Sequence, residues 1–83
     1  MFKNKSENGK NNICGENIYR LRKQAVPKMS QRILADKCQL LGIDVDKNAI
    51  QRIECGKRFV TDIELVCFCE IFKVDYNELL KNK

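Results

Sequence analysis

The stretch VDKNAIQRIECGKRF, residues 45–59, decides the fold of this chain because its apolar and polar residues separate at helical spacing. One face of such a helix carries four apolar side chains: Val45, Ala49, Ile50 and Ile53. The opposite face carries two cations and two amides: Lys47, Asn48, Gln51 and Arg52. Gly56 follows, and glycine readily ends a helix in left-handed backbone. The pattern predicts a helix over 46–55 whose polar face is either plain solvated surface or a surface that reads a partner.

Helix starts recur along the chain as an apolar residue, a capping residue, and a second apolar residue five positions after the first. Four stretches fit: Met29-Ser30-Leu34, Val45-Asp46-Ile50, Val60-Thr61-Leu65 and Val74-Asp75-Leu79. Thr61 with Glu64 predicts a capping box, and Asp75 with Glu78 its aspartate counterpart. An earlier helix with Ile18, Leu21 and Ala25 on one face ends at Val26-Pro27.

We therefore expect helices near 13–25, 30–41, 46–55, 61–72 and 75–81, with Gly42 ending the second. No stretch alternates with the period of a strand, so the prediction is an all-α domain spanning residues 13–83. Residues 1–12 contain four Asn, three Lys and one Gly, and we expect a disordered N-terminal tail there. Phe59 is expected in the core rather than in a loop facing a partner. The other expected core residues are Ile18, Leu21, Ala25, Leu34, Ala35, Cys38, Leu41, Ile50, Ile53, Leu65, Phe68, Cys69, Phe72 and Leu79.

The composition excludes several classes of function. The chain has 83 residues, enough for one domain, and no apolar run approaches the roughly 20 residues of a membrane span. The N-terminus lacks the apolar segment of a secretory signal, so we expect a cytoplasmic protein. The five cysteines form no C-x-x-C pair and histidine is absent, so we interpret the cysteines as core or surface thiols rather than metal ligands or disulfides. Without histidine the commonest general base is missing, and we expect neither catalysis nor a cofactor.

Charge is distributed unevenly along the chain. The net charge is +4 over residues 1–27, +3 over 28–58, −4 over 59–80 and +2 over 81–83. This polarity is consistent with one surface facing an anion such as nucleic acid, although a generic basic protein fits the charge equally well.

Four motifs in order resemble a known family. ENIYRLRKQ, MSQRILADK, NAIQRIECGKR and IELVCFCEIFKVDYNELL are similar to the motifs of the phage lambda repressor and Cro-like family, also called the XRE family, over about residues 13–81. The resemblance implies a compact five-helix, lambda-repressor-like DNA-binding domain in which helices two and three form a helix-turn-helix.

The resemblance also implies residue roles. The family's base-reading positions match Lys47, Asn48, Gln51 and Arg52, whose donors and amides suit guanine and adenine edges, with Arg52 also a candidate for phosphate. Its phosphate contacts match Gln31, which also braces the recognition helix, and Gly56, Lys57 and Arg58, where backbone N–H groups and basic side chains hold phosphates. Ala35 matches the small residue at the helix crossing, and Arg22 with Glu54 matches a partly buried structural ion pair. The remaining cations are either electrostatic helpers or solvated side chains: Lys3, Lys5, Lys10, Lys28 and Arg32.

Two departures from the family pattern affect the docking angle. From Ala35 to Ile50 the chain is about five residues longer than usual, so QLLGIDVD must lengthen the second helix, the turn, or both. The loop VPKM is about two residues longer. We keep the fold and expect a shifted presentation of the helix over 46–55.

These patterns predict a sequence-specific, double-stranded-DNA-binding transcriptional regulator, and more specifically a repressor. One recognition helix reads few base pairs, so we expect a homodimer on a palindromic operator, formed through Tyr76 and Leu80 of the fifth helix unless these simply cover the core edge. The alternative is an antitoxin-like protein-interaction module whose acidic surface binds a basic partner. That surface contains Asp62, Glu64, Glu70, Asp75 and Glu78. RNA binding is a weaker third option because Tyr19 is the only clear stacking aromatic on the basic side.

Overall fold

The computed structural model describes residues 9–81 and contains five helices and no strand in that range. The helices are α1 (Cys14–Gln24), α2 (Gln31–Leu40), α3 (Lys47–Glu54), α4 (Asp62–Phe72) and α5 (Tyr76–Leu80). The predicted all-α class is confirmed, and each helix lies within its predicted range. Across the described residues, no helix has the length and apolar character needed to cross a membrane.

All four predicted N-caps are present. The side chains of Ser30, Asp46, Thr61 and Asp75 each accept a hydrogen bond from the backbone N–H three residues later, at 2.8–3.2 Å. At Thr61 the capping box is complete, because Glu64 Oε1 accepts from the Thr61 N–H at 3.0 Å. At Asp75 only the forward bond forms, since the Glu78 carboxylate binds Arg20 and Lys81 instead.

Helices α2 and α3 end in the same backbone arrangement. Gly42 and Gly56 have φ of +83° and +80°, which side chains with a Cβ adopt only with strain. The N–H of the residue after each glycine reaches back to the third-last carbonyl of the helix, from Ile43 to Cys38 O and from Lys57 to Arg52 O. Both glycine stops are therefore confirmed. Lys73, with φ of 56°, ends α4 in left-handed backbone without a glycine to signal it.

The core forms where the five helices meet. α1 packs against α3, α4 and α5, while α2 packs against α3 and α4. The largest fully buried side chains are Phe68, Ile18, Leu34, Ile50, Ile53, Leu79, Val45 and Cys38. Most predicted core residues are buried or partly buried, but two predictions are wrong. Leu41 is 48% exposed because α2 has already ended there, and Phe59 is 54% exposed in the loop before α4.

Three of the five cysteines fill the core. Cys14, Cys38 and Cys67 are buried, Cys69 is partly buried, and Cys55 is exposed. Burial raises the pKa of Cys14 to about 11 and that of Cys38 to about 12, so these thiols remain protonated at neutral pH. Cys14 and Cys67 were not among the expected core residues.

Candidate nucleic-acid interface

Helix α3 separates its two faces as the sequence predicts. Ala49, Ile50 and Ile53 are buried, and α3 packs through this side against α1 and α2. The four predicted base-reading residues are all exposed: Lys47, Asn48, Gln51 and Arg52. Their side chains make no hydrogen bond or ion pair with any other residue between 9 and 81. The face therefore presents cations and amides whose hydrogen-bonding capacity the rest of the described chain does not use.

The stretch QLLGIDVD before α3, residues 39–46, lies partly in α2 and partly in the connection between the two helices. α2 continues to Leu40, and residues 41–46 then lead to Lys47. Val45 is buried, and its carbonyl accepts from Gln39 Nε2 at 3.0 Å. Leu40 is 86% exposed. The start of α3 is thus held against the end of α2 by one buried side chain and one side-chain hydrogen bond.

The predicted ion pair between α1 and α3 is present, and both of its side chains are largely buried. Arg22 donates to both carboxylate oxygens of Glu54, at 2.7 and 3.0 Å, and the two side chains are only 10% and 5% exposed. The third guanidinium nitrogen of Arg22, Nη1, donates to the Met29 carbonyl at 3.2 Å. Gln31 Nε2 donates to Glu54 Oε1 at 3.0 Å. The bracing contact expected of Gln31 is therefore observed, and it places the first residue of α2 beside the last residue of α3.

The turn after α3 differs from expectation in its backbone. Gly56 N–H donates to Ile53 O at 3.0 Å, and the N–H groups of Lys57 and Arg58 both donate to Arg52 O, at 2.9 and 3.3 Å. These backbone N–H groups already donate to the last carbonyls of α3, which argues against the expectation that they hold phosphates. The Lys57 side chain is exposed and unpaired within the described residues, so it is the part of this turn that can meet an anion.

Arg58 is engaged inside the molecule. Its guanidinium donates to both Glu64 oxygens at 2.9 and 3.0 Å and to the Phe59 carbonyl at 3.2 Å. The hydrogen bond between the two side chains raises the pKa of Arg58 and lowers that of Glu64. Because Glu64 also closes the capping box of α4, this pair joins the turn to the start of α4. The arrangement favours a structural role for Arg58 over the phosphate contact that the sequence predicted.

Residues before α1 contribute to this region in a way that the sequence analysis missed. Asn11 donates through its N–H to Gly56 O at 2.7 Å and through its side chain to Lys57 O at 2.8 Å. Asn12 Nδ2 donates to Ile53 O at 3.1 Å and to Arg58 O at 2.7 Å. Residues 1–8 of the predicted tail lie outside the described residues. Asn11 and Asn12, which were predicted to belong to the disordered tail, are hydrogen-bonded to the folded domain, so the tail was predicted to end too late in the chain.

One local signal could have identified Asn12. Its Oδ1 accepts from Gly15 N–H at 2.8 Å, three residues on, which is the spacing of a helix cap. The approach of α1 to α3 is also close here, since a Cβ built on Gly15 would lie 2.1 Å from Ile53 O. Asparagine three residues before a glycine at the start of a helical pattern would have suggested an ordered start.

The charges that remain unpaired have an uneven distribution. Within residues 9–81, five cations form ion pairs: Lys10, Arg20, Arg22, Arg58 and Lys81. Those without an ion pair are Lys23, Lys28, Arg32, Lys37, Lys47, Arg52, Lys57 and Lys73. All but Lys73 belong to the segment from the end of α1 to the turn after α3. On the predicted acidic surface, Glu64 and Glu78 are neutralised by ion pairs, which leaves Asp62, Glu70 and Asp75 exposed.

Exposed large apolar residues occur on α1, α2, α4 and α5. Tyr76 and Leu80 of α5, the predicted dimer contacts, are 49% and 42% exposed. α4 exposes Ile63 and Val66, and α2 exposes Ile33 and Leu40, so α5 is not the only helix in the described range with an exposed apolar surface.

The part of the chain that the structure describes contains no group of three or more His, Cys, Asp or Glu side chains able to hold a metal ion. Comparison with protein-family models, curated proteins and solved structures finds no match.

Proposed function

We propose that the chain is a sequence-specific, double-stranded-DNA-binding transcriptional regulator, most simply a repressor, in which α2 and α3 form a helix-turn-helix like that of the repressor and Cro-like family. One observation carries the proposal. α3 buries its apolar face against α1 and α2 while Lys47, Asn48, Gln51 and Arg52 stay exposed and unpaired within the described residues. A helix of this kind fits the major groove of B-DNA, which is about 12 Å wide.

The residue types divide between base reading and phosphate binding. Lys47 and Asn48 occupy the first two positions of α3, and we assign them to base edges because the helix start enters the groove first in this class of protein. Lysine donates to guanine O6 and N7, and asparagine pairs with adenine N6 and N7. Gln51 and Arg52 follow one turn later, and Arg52 lies towards the end of α3 where Gln31 and Lys57 can meet phosphates.

The distribution of unpaired cations supports the same surface. Lys28 and Arg32 flank the start of α2, which Gln31 joins to the end of α3. Lys57 lies directly after α3. Contacts of this kind release condensed counterions, so affinity should fall steeply as the salt concentration rises.

Single substitutions separate the two kinds of contact. On a preferred site, Lys47→Ala or Asn48→Ala should weaken binding by roughly 1–3 kcal/mol and relax the preference at one base pair. Lys57→Gln should weaken all sequences alike. Lys73→Gln is the matched control, because Lys73 is also exposed and unpaired within residues 9–81 but lies between α4 and α5, so binding should stay within about 0.5 kcal/mol. Equal losses for Lys47→Ala on preferred and random DNA would contradict base reading.

A selection from random-sequence duplex DNA tests the proposal as a whole. We expect recovery of a palindrome with half-sites about one helical turn apart, bound by a homodimer. Failure to enrich any sequence, together with binding insensitive to salt, would overturn the proposal.

A second candidate is an antitoxin-like interaction module on the same helices. It is favoured by the outer face of α4, where the exposed Ile63 and Val66 lie with Asp62 and Glu70. This face suits a partner with apolar and basic side chains. Salt-dependent, sequence-selective DNA binding by the isolated chain would favour the regulator, and its absence would favour the interaction module.

A further inference from the structure

Four hydrogen bonds tie residues 11–12 to the turn that follows α3. Each has a backbone carbonyl as acceptor. The carbonyls of Gly56 and Lys57, in the turn, accept from Asn11, and those of Ile53, in the last turn of α3, and Arg58 accept from Asn12. The partners are more than 40 residues apart in sequence, so the contact belongs to the tertiary fold. It fixes the start of the described chain against the end of the candidate DNA-reading helix.

Lys57 is the residue that this contact holds most directly. Its N–H donates to Arg52 O at 2.9 Å, within α3, and its carbonyl accepts from Asn11 Nδ2 at 2.8 Å. Both backbone groups of Lys57 are therefore engaged, while its side chain is exposed and unpaired within the described residues. A cation on a fixed backbone keeps more of its interaction with a phosphate, because less conformational entropy is lost on binding.

Electrostatics also favours this arrangement. The carbonyl end of a helix carries a partial negative charge, which repels phosphates. At the end of α3 the side-chain amides of Asn11 and Asn12 donate to carbonyls of the last turn and of the residues after it. These donors and the Lys57 cation offset the partial negative charge of the helix end, so an anion is less strongly repelled there.

We propose that Asn11 is a positioning residue for DNA binding: it holds the turn after α3 so that Lys57 meets the phosphate backbone at a fixed place relative to the bases read by α3. This inference rests on the proposed function. Asn11 acts through Lys57 and does not itself contact DNA.

Asn11→Ala tests the inference without removing the whole contact. The backbone bond from residue 11 to Gly56 O and both Asn12 bonds are retained, and the substitution also removes Asn11 Oδ1, a buried acceptor without a partner in the described chain. We therefore expect the variant to fold. Asn11→Leu, of nearly equal size and without the donor, is the second variant and should behave in the same way.

The measurement is a double-mutant cycle on affinity for random-sequence duplex DNA over a series of salt concentrations. Lys57→Gln should lower the slope of log K against log salt by about 0.9, the value for one phosphate contact. Asn11→Ala should lower it by a comparable amount, and the double variant should match Lys57→Gln alone. In a second cycle with Lys47→Ala, at the opposite end of α3 and measured on a preferred site, the effects of Asn11→Ala should add. A general loss of folding would make Asn11→Ala additive with both variants, so non-additivity with Lys57→Gln alone identifies the positioning role.

The outcomes distinguish this inference from the function on which it rests. An unchanged salt slope in Asn11→Ala and Asn11→Leu, or additive losses in the cycle with Lys57→Gln, would overturn the positioning role while leaving DNA binding intact. If the wild-type chain binds no DNA, or Lys57→Gln leaves the slope unchanged, both the phosphate contact and the positioning role are refuted.

Discussion

Replacing Arg22 with alanine should destabilise the domain severely. The substitution would leave the Glu54 carboxylate, 5% exposed, with Gln31 Nε2 as its remaining side-chain donor among those described. It would also remove a donor from the Met29 carbonyl. Breaking a buried ion pair by removing one partner costs about 3–5 kcal/mol, because a charge stays buried without compensation.

This loss is large relative to the stability of so small a domain. A chain of 83 residues is expected to have a free energy of unfolding of roughly 4–12 kcal/mol, from about 0.05–0.15 kcal/mol per residue. We therefore expect Arg22→Ala to be partly unfolded at room temperature or to melt far below the wild-type chain. Any loss of DNA binding should then follow the loss of structure, with no change in base preference of the molecules that remain folded.

Urea unfolding followed by circular dichroism, together with DNA affinity measured by fluorescence anisotropy, checks this prediction. Arg20→Ala is the matched control, because the side chains of its ion pair with Glu78 are 29% and 32% exposed, and an exposed pair contributes little to stability. Arg22→Met combined with Glu54→Leu removes both charges and should recover much of the lost stability. Unchanged stability of Arg22→Ala with abolished DNA binding would refute the structural role.

Three further predictions follow from particular contacts. A chromogenic disulfide reagent should react with one cysteine of the native protein in a fast phase, because Cys55 is the exposed thiol. Cys55→Ser should abolish this fast phase. Glu64→Gln should lower the stability of the domain at neutral pH and flatten the decline of stability in acid. The hydrogen bond from Arg58 lowers the pKa of Glu64 in the folded state below 4.5, so the carboxylate stabilises the fold above pH 4.5 and loses this effect as the pH falls through the lowered pKa. Unfolding measured over a range of pH checks this prediction. Gly15→Ala should destabilise the domain by a few kcal/mol, since its Cβ would lie 2.1 Å from Ile53 O, and a thermal melt equal to that of the wild-type chain would contradict this close approach of α1 to α3.

The features that the sequence predicted correctly depend on contacts between residues about one helical turn apart. The N-caps at Ser30, Asp46, Thr61 and Asp75 and the glycine stops of α2 and α3 require partners three to five residues away, so the chain order alone specifies them. The separation of faces on α3 follows from its period for the same reason. The Arg22–Glu54 pair was expected from the family resemblance, not from local chemistry.

The errors concern residues whose surroundings come from elsewhere in the chain. Leu41 and Phe59 are apolar, but the helix end and the loop in which they lie place them at the surface. The family resemblance implied that Arg58, like Lys57 before it, contacts phosphate. Its partner, Glu64, belongs to the capping box of α4, and the tertiary arrangement of the turn lets one carboxylate serve both.

The sequence by itself determined the five helices, their ends, and the exposed set on α3, because repeating local geometry places these residues without reference to the rest of the fold. Only the tertiary structure decided which cations near α3 remain unpaired and that Asn11 and Asn12 hold the turn beside it. Those contacts join residues more than 40 positions apart, and the energy of such a hydrogen bond depends on a distance that chain order does not specify.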